Sequence, residues 1–420
     1  MLDQRDGLYK LSNHLPWEFF EESFSEYYST EGRPAKPIRL MVGLLLLKQL
    51  ENLSDERIVE AWSRNPYYQY FCGESHFQWG LPCDPSDLVH FRNRIGVKGV
   101  EKIFEVSIKL HSKESLEEEI VADTTVQEKN ITFPTDTKLR LKIIDHCWKI
   151  ADKTGVKFYH SYKRKVPALL RLLRTRSNRM VKPRRKACLK LRTYAGRLIR
   201  DLERKLSEEQ NKQYAEKFAR MKKVLAQKRH DKNKIYSLHE PQVQCIAKGK
   251  SHKPYEFGAK ASISMTAKSG IIVGAMSFSG NPYDGDTLPK VLNQVESLTG
   301  QRPKSCLVDR GYRGRKTVGE TKIELPGKAK KTESYYQRKK QRKRFARRSA
   351  IEPVIGHLKS DHRMMRNYLK GSVGDELNVM LAAAAFNMKK WINKILSWLK
   401  ILFPNFSNII RLFYARPIHG

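Results

Sequence analysis

Between residues 161 and 235 the chain carries 26 Lys or Arg against 6 Asp or Glu, a local charge of +20. The only prolines there are Pro167 and Pro183, and "LLRLLRTRSNRM" and "LKLRTYAGRLIRDLERKL" repeat apolar residues every three or four positions. That period predicts two or three long basic helices and gives a strand no buried face. Any sheet must therefore be assembled from segments on either side of this block.

Those segments carry strand signals. In "LEEEIVADTTVQE", Ile120, Val121 and Ala122 precede Asp123 and read as a short buried strand ending at the acid. Two apolar runs flank "AKSG" in "YEFGAKASISMTAKSGIIVGAMSFSG", a hairpin signal. "DGDTLPKVLNQVESLTG" reads as a helix stopped by Gly300, and "KSCLVDRGYRG" as a short strand, 306–308, ending at Asp309. The expectation is an α/β unit interrupted by a basic helical insertion.

Residues 1–115 read as helical. Pro37 opens an apolar helix, Ser54 caps the next, Asp84 or Ser86 caps a third, and Gly96 stops it. Such short, basic-faced helices suit a DNA-binding or dimerisation module, or a plain bundle. Beyond the basic linker 328–348 a helix is expected from Ser349, then a long one through "GDELNVMLAAAAFNMKKWINKIL". The expected organisation is a helical domain at 1–115, a discontinuous α/β domain at 116–160 and 236–395, the insertion at 161–235, and a tail at 396–420.

Charge bounds the partner. Lys plus Arg number 81 and Asp plus Glu 44, giving +37. A field that positive attracts polyanions: nucleic acid first, an anionic membrane surface second. "LMVGLLLL" ends at Lys48, far short of the roughly 20 apolar residues of a membrane span. "MLDQRDGLYK" does not read as a signal peptide. The six cysteines form no CxxC pair, which fits a reducing, cytoplasmic setting. Cys72, His76, Cys83 and His90 lie close together but match no common zinc spacing, so no metal is expected there.

Two strands ending in Asp, with Glu352 on a later helix, make a possible three-carboxylate site. Such groups stay ionised together only if cations neutralise them. Magnesium accepts one or two carboxylates and completes its shell with water and phosphate oxygens. Asp136, Asp145, Asp284, Asp286 and Asp361 are alternative acids. Glu352 also fits a capping box in "SAIE", with Ser349 as N-cap. Local sequence leaves capping and chemistry both open, and His357 and His362 flank the same helix.

Four stretches in order sharpen this. "GRPAKPIRLMVGLLLLKQLENLSDERIVEAW" with the following "NPYYQYFCG" and "LPCDPSDLVHFRNRIG", then "VADTTVQEKNITFPTD", "LVDRGYRG" and "FARRSAIEPVIGHLKSDHRM", resemble the blocks of bacterial insertion-sequence DDE transposases, closest to the insertion-sequence-five family. Phe345, Arg348, Glu352 and Lys359 fall at the spacing of the family's Tyr-Arg-Glu-Lys motif, with Phe345 in place of Tyr. The resemblance implies an RNase H-like core. It maps the catalytic, metal-holding acids to Asp123, Asp309 and Glu352. It also implies two Mg2+ or Mn2+ ions, and double-stranded DNA as partner, both terminal inverted repeats and target. A homodimer on DNA, a nucleoid-associated bacterial protein and no membrane partner follow likewise. Arg348, Lys359, Arg310, Arg313 and Lys260 are the candidate phosphate contacts. Two rival expectations share the basic surface: a non-catalytic DNA-binding derivative, and a nuclease without strand transfer.

Overall fold

The apolar run at 40–47 folds into a helix buried on nearly every side, and the larger core is built around it. The computed structural model describes residues 2–28, 31, 35–228, 230–247, 249, 253–327 and 334–402, without side chains for 398–402. Most of the expected tail, 403–420, and the first part of the basic linker, 328–333, lie outside the described residues. The chain divides into two compact units, Met1–Glu128 with Lys260–Gly420, and Lys129–Ala259.

The first unit begins with six helices: α1 (Gly7–His14), α2 (Trp17–Ser25), α3 (Ile38–Leu50), α4 (Asp55–Trp62), α5 (Pro66–Phe71) and α6 (Pro85–Lys109). Ser54 caps α4 by accepting from the Arg57 N–H, and Asp84 caps α6 in a reciprocal box with Asp87. Gly96 does not stop α6. It kinks it, at φ 57°, a left-handed conformation that glycine adopts without a Cβ penalty, and the helix resumes to Lys109.

The same unit holds the sheet: β1 (Glu119–Lys129), most of β3 (Tyr255–Thr266), β4 (Ile272–Phe278), β5 (Ser305–Leu307), β6 (Thr317–Val318), β7 (Thr321–Glu324) and β8 (Arg366–Asn367). The spatial order is β3-β1-β5-β7-β6, with β4 on β3 and β8 on β1. β1, β5 and β7 are parallel, and β3–β4 is the expected antiparallel hairpin, turning at Gly270. α11 (Asp284–Thr299), α12 (Tyr335–Arg348), α13 (Ile351–Ser360) and α14 (Gly371–Leu402) complete it. On α14, the fully buried Asn387 takes the Ile272 N–H at 2.9 Å and donates to the Ile272 carbonyl at 2.8 Å, satisfying backbone of β4. One continuous apolar cluster runs from Leu11 to Ile392, so the N-terminal helices and the sheet share a core.

The second unit holds α7 (Asp136–Thr154), α8 (Lys165–Arg174), α9 (Val181–Lys205), α10 (Glu208–Ala226) and β2 (Gln244–Ala247), which pairs with the start of β3. Leu139, Ile143, Leu191, Leu198, Leu202 and Phe218 pack in its own core, leaving the basic side chains outside. The limits expected at 161 and 235 fall inside this unit, because α7 shares its core with α9 and α10.

A buried charge cluster ties α3, α4 and α6 together. Asp55 takes both Arg92 guanidinium nitrogens, at 2.8 and 2.7 Å, and the Lys48 ammonium at 2.7 Å. Burial pushes the Lys48 pKa down from 10.5 to about 8, with Arg92 repelling it further and Asp55 opposing. The unfolded chain keeps that proton to higher pH. Between about pH 8 and 10.4 it binds more protons than the native state, so stability rises with pH there. The expected result is a wild-type stability that climbs through this window relative to Lys48→Met, with the difference flat below it, as read by urea unfolding at stepped pH.

Candidate active site

Val121 of β1 and Leu307 of β5 are partners in the parallel register. Asp123 and Asp309 each lie two residues further on, and Asp309 is still extended at φ −83°, ψ 180°. Neighbouring strands lie about 4.8 Å apart, and residues two apart share a face. The two acids therefore stand at one level on adjacent strands, facing the same side. β1 does not end at Asp123 as expected but runs on to Lys129, because its other edge remains paired and buried residues continue after the acid. The effective strand end is that of β5, which leaves Asp123 without a parallel neighbour. Each acid is held locally: Asp123 Oδ1 accepts the Thr124 N–H at 2.7 Å, and Asp309 Oδ1 accepts the Gly311 N–H at 2.7 Å.

A third carboxylate reaches this place, and sequence reasoning gave it no special role. Asp284 opens α11, and its Oδ1 accepts from Thr124 Oγ1 and from Lys260 Nζ, both at 2.8 Å. A Cβ on Gly311 would lie 2.8 Å from Asp309 Oδ1 and 3.2 Å from Asp284 Oδ2, so those oxygens lie within about 6 Å of each other. The Tyr312 side chain is fully buried. Burial raises its pKa well above the ordinary value, and the charges of Asp123, Asp284 and Asp309 raise it further. The signal that could have found Asp284 is its position after a hairpin at a helix N-terminus, one residue in a run with Asp286.

Glu352 sits in the first turn of α13. The capping box expected at "SAIE" does not form. α12 runs to Arg348, Ser349 follows in αR conformation as its C-cap, and α13 starts at Ile351 with no side-chain cap. The Glu352 carboxylate instead meets the Arg348 guanidinium at 3.3 Å and is 63% exposed. Among the described residues no group of three or more His, Cys, Asp or Glu side chains could hold a metal ion, so neither Glu352 nor Asp284 forms a ready-made three-ligand site with Asp123 and Asp309.

Arg344 anchors α12 by pairing with Glu119 of β1 and Glu324 of β7. Phe345 packs half-buried on the core. Arg310 and Arg313 are exposed beside Asp309; Lys359 is half-buried on α13. Lys260 is turned inward, with a second bond to the Pro282 carbonyl at 2.6 Å. His362 is buried against the Gln49 carbonyl at 3.1 Å, and burial lowers its pKa. His357 meets Asp361 at 2.8 Å on the exposed face of α13. Asp136 lies in the second unit, paired with Arg140. Cys72 and Cys83 are buried, whereas His76 and His90 are exposed. Among the described residues no helix is long and apolar enough to cross a membrane.

Comparison with known proteins places these features in a family. Residues 1–94 match the model described as "Transposase domain (DUF772)", and residues 224–388 match the model described as "Transposase DDE domain". Asp309 and Glu352 fall inside the second span; Asp123 lies between the two. The chain is 41% identical over 170 residues to "Uncharacterized protein ORF8 in nfe locus" of Rhizobium meliloti, covering 39% of this chain and 82% of that protein. No solved structure matches the chain. A helical transposase region followed on one chain by a DDE domain, whose span includes the Asp309 strand end and the Glu352 helix, means that this protein belongs to the DDE transposases of insertion sequences.

Proposed function

We propose that Asp123, Asp309 and Glu352 form the reaction centre, which cleaves DNA at the terminal inverted repeats of an insertion sequence and transfers the freed strand to target DNA. The observation that carries this reading is the parallel pairing of β1 with β5, whose last partners, Val121 and Leu307, each stand two residues before an acid. Transposases of this class act on DNA and generally use divalent metal ions. The donor set suits a hard cation, since Asp123 and Asp309 offer carboxylate oxygens. These two residues, with Glu352, would hold Mg2+ or Mn2+, two ions in all, which when bound supply a nucleophilic oxygen at neutral pH and stabilise charge on the phosphate.

The other roles belong to the basic side chains. Arg310 and Arg313, exposed beside Asp309, position the phosphodiester at the acids. Arg348 exchanges Glu352 for a phosphate, which frees the carboxylate to join the pair. Lys359 stands about two helical turns beyond Glu352 and contacts the same backbone. The exposed basic faces of α8, α9 and α10 track flanking duplex. The strand order β4-β3-β1-β5-β7, with a parallel β1-β5-β7 segment and a leading hairpin, supports an RNase H-like reading of the core. We place the protein in the bacterial cytoplasm, acting as a homodimer on paired DNA ends.

The test is incubation of the full chain with labelled terminal-repeat DNA, target DNA and Mg2+, followed by separation of nicked from joined products. Joined product is expected; nicks without joins would leave only the nuclease part of the reading. Binding without metal should weaken steeply with salt. The log–log slope is expected at about −0.9 per phosphate contacted, several units in all, by filter binding across a salt series. A flat response would remove DNA as the partner.

A further inference from the structure

Asp284 stands beside Asp123's neighbour Thr124 and beside Gly311, and its two oxygens face different ways. Oδ1 is occupied by the Lys260 ammonium and the Thr124 hydroxyl, each at 2.8 Å. Oδ2 lies toward Asp309 across Gly311, where a Cβ would sit 3.2 Å from it and 2.8 Å from Asp309 Oδ1. Among the described residues no donor reaches Oδ2. Thr124 adjoins Asp123, so Asp284 is tied to β1 on one side and turned to Asp309 on the other.

A second observation points to a ligand at this place. Tyr312 is fully buried, and among the described residues its hydroxyl has no hydrogen-bond partner. Its electrostatic neighbours are Asp123, Asp284 and Asp309. A buried hydroxyl without an acceptor costs about 1–3 kcal/mol, so an oxygen that accepted from it would be stabilised, in a place where the charges of these acids act. Gly311 keeps the space between Asp309 and Asp284 open, since any Cβ there would collide with Asp309 Oδ1.

We infer that Asp284 is a further acidic residue of the reaction centre, presenting Oδ2 with Asp309 to a divalent cation while Lys260 and Thr124 hold Oδ1. This rests on the proposed role of the Asp123–Asp309 pair. Lys260 limits the charge of the cluster: its ammonium neutralises one of three neighbouring carboxylates until a cation arrives. In the DNA-free protein Asp284 and Asp309 then supply a two-carboxylate place for a cation, with Glu352 still paired to Arg348 on α13.

The test is Mn2+ binding to the full chain without DNA, followed by the electron paramagnetic resonance of free Mn2+. Asp284→Asn is expected to weaken binding by about tenfold or more, the usual effect of losing a group that supports or ligates a metal. Lys260→Gln is expected to tighten it, because a cation that competes for Asp284 is gone. Thermal unfolding of each variant shows whether it is folded. Unchanged Mn2+ affinity in folded Asp284→Asn overturns the inference, as does a loss confined to Glu352→Gln. If Asp284→Asn does not fold, Lys260→Gln decides: tighter binding supports the inference, and unchanged binding overturns it. Wild-type affinity in Asp123→Asn and Asp309→Asn is a different failure, that of the pair itself.

Discussion

Asp309→Asn and Asp123→Asn are each expected to slow strand cleavage at the element's ends by about a thousandfold or more, the equivalent of roughly 4 kcal/mol of transition-state stabilisation. The amide keeps the shape and can still accept the local N–H bond that each acid makes, from Thr124 or Gly311. What it lacks is charge. A neutral group at either position weakens the anionic field that draws a hard cation to the phosphate. The sign of a second readout separates this from misfolding. Removing a negative charge beside Arg310 and Arg313 leaves metal-free DNA binding unchanged or tighter, whereas a folding defect weakens it. Single-turnover cleavage and filter binding on the same preparations check both. Cleavage near the wild-type rate in either variant would remove that residue from the centre.

Asp55→Ala destabilises the first unit by about 3–5 kcal/mol, the usual cost of removing one partner from a buried ion cluster. The loss is large because two cations depend on one carboxylate. Arg92 is 3% exposed and Lys48 7%, and α3, α4 and α6 meet at this point. Without Asp55 both cations are left without it in a closed interior. The urea midpoint measures the effect, and a shift no larger than that of an exposed pair such as Lys149–Asp145 would contradict it. Lys48→Met is the milder change, since it leaves Arg92 and Asp55 paired to each other.

Much of this was legible from residue patterns, and the rest fails for identifiable reasons. An apolar run followed by Asp marked both Asp123 and Asp309, because buried strand residues leave a strong local signature, although β1 continues past its acid while β5 stops short of Asp309. Asp284 left only a weak signature, its place after a hairpin at a helix N-terminus, because its contact with Lys260 comes from the hairpin folding back toward α11, a tertiary event. The capping box at Ser349 was a sound local pattern that lost to its context. α12 is already helical at Arg348, so Ser349 closes one helix rather than opening another. Gly96 was read as a stop for a similar reason: glycine permits the kink, but the apolar faces on both sides keep the helix going. Charge drew the insertion at 161–235, whereas packing draws the compact unit at Lys129–Ala259, because α7 contributes apolar residues that a charge count does not register.

The central claim is that the Asp123–Asp309 pair holds the metal used in strand cleavage. Replacing Asp309 with Cys tests it most directly, because a thiolate is a softer ligand than a carboxylate and favours softer metals than Mg2+. Cleavage of labelled end DNA by Asp309→Cys should be lost in Mg2+ and regained, at least in part, when Mn2+ replaces it, with Asp309→Ala inactive in both. Equal loss in the two metals, or full activity of the Cys variant in Mg2+, would contradict the assignment.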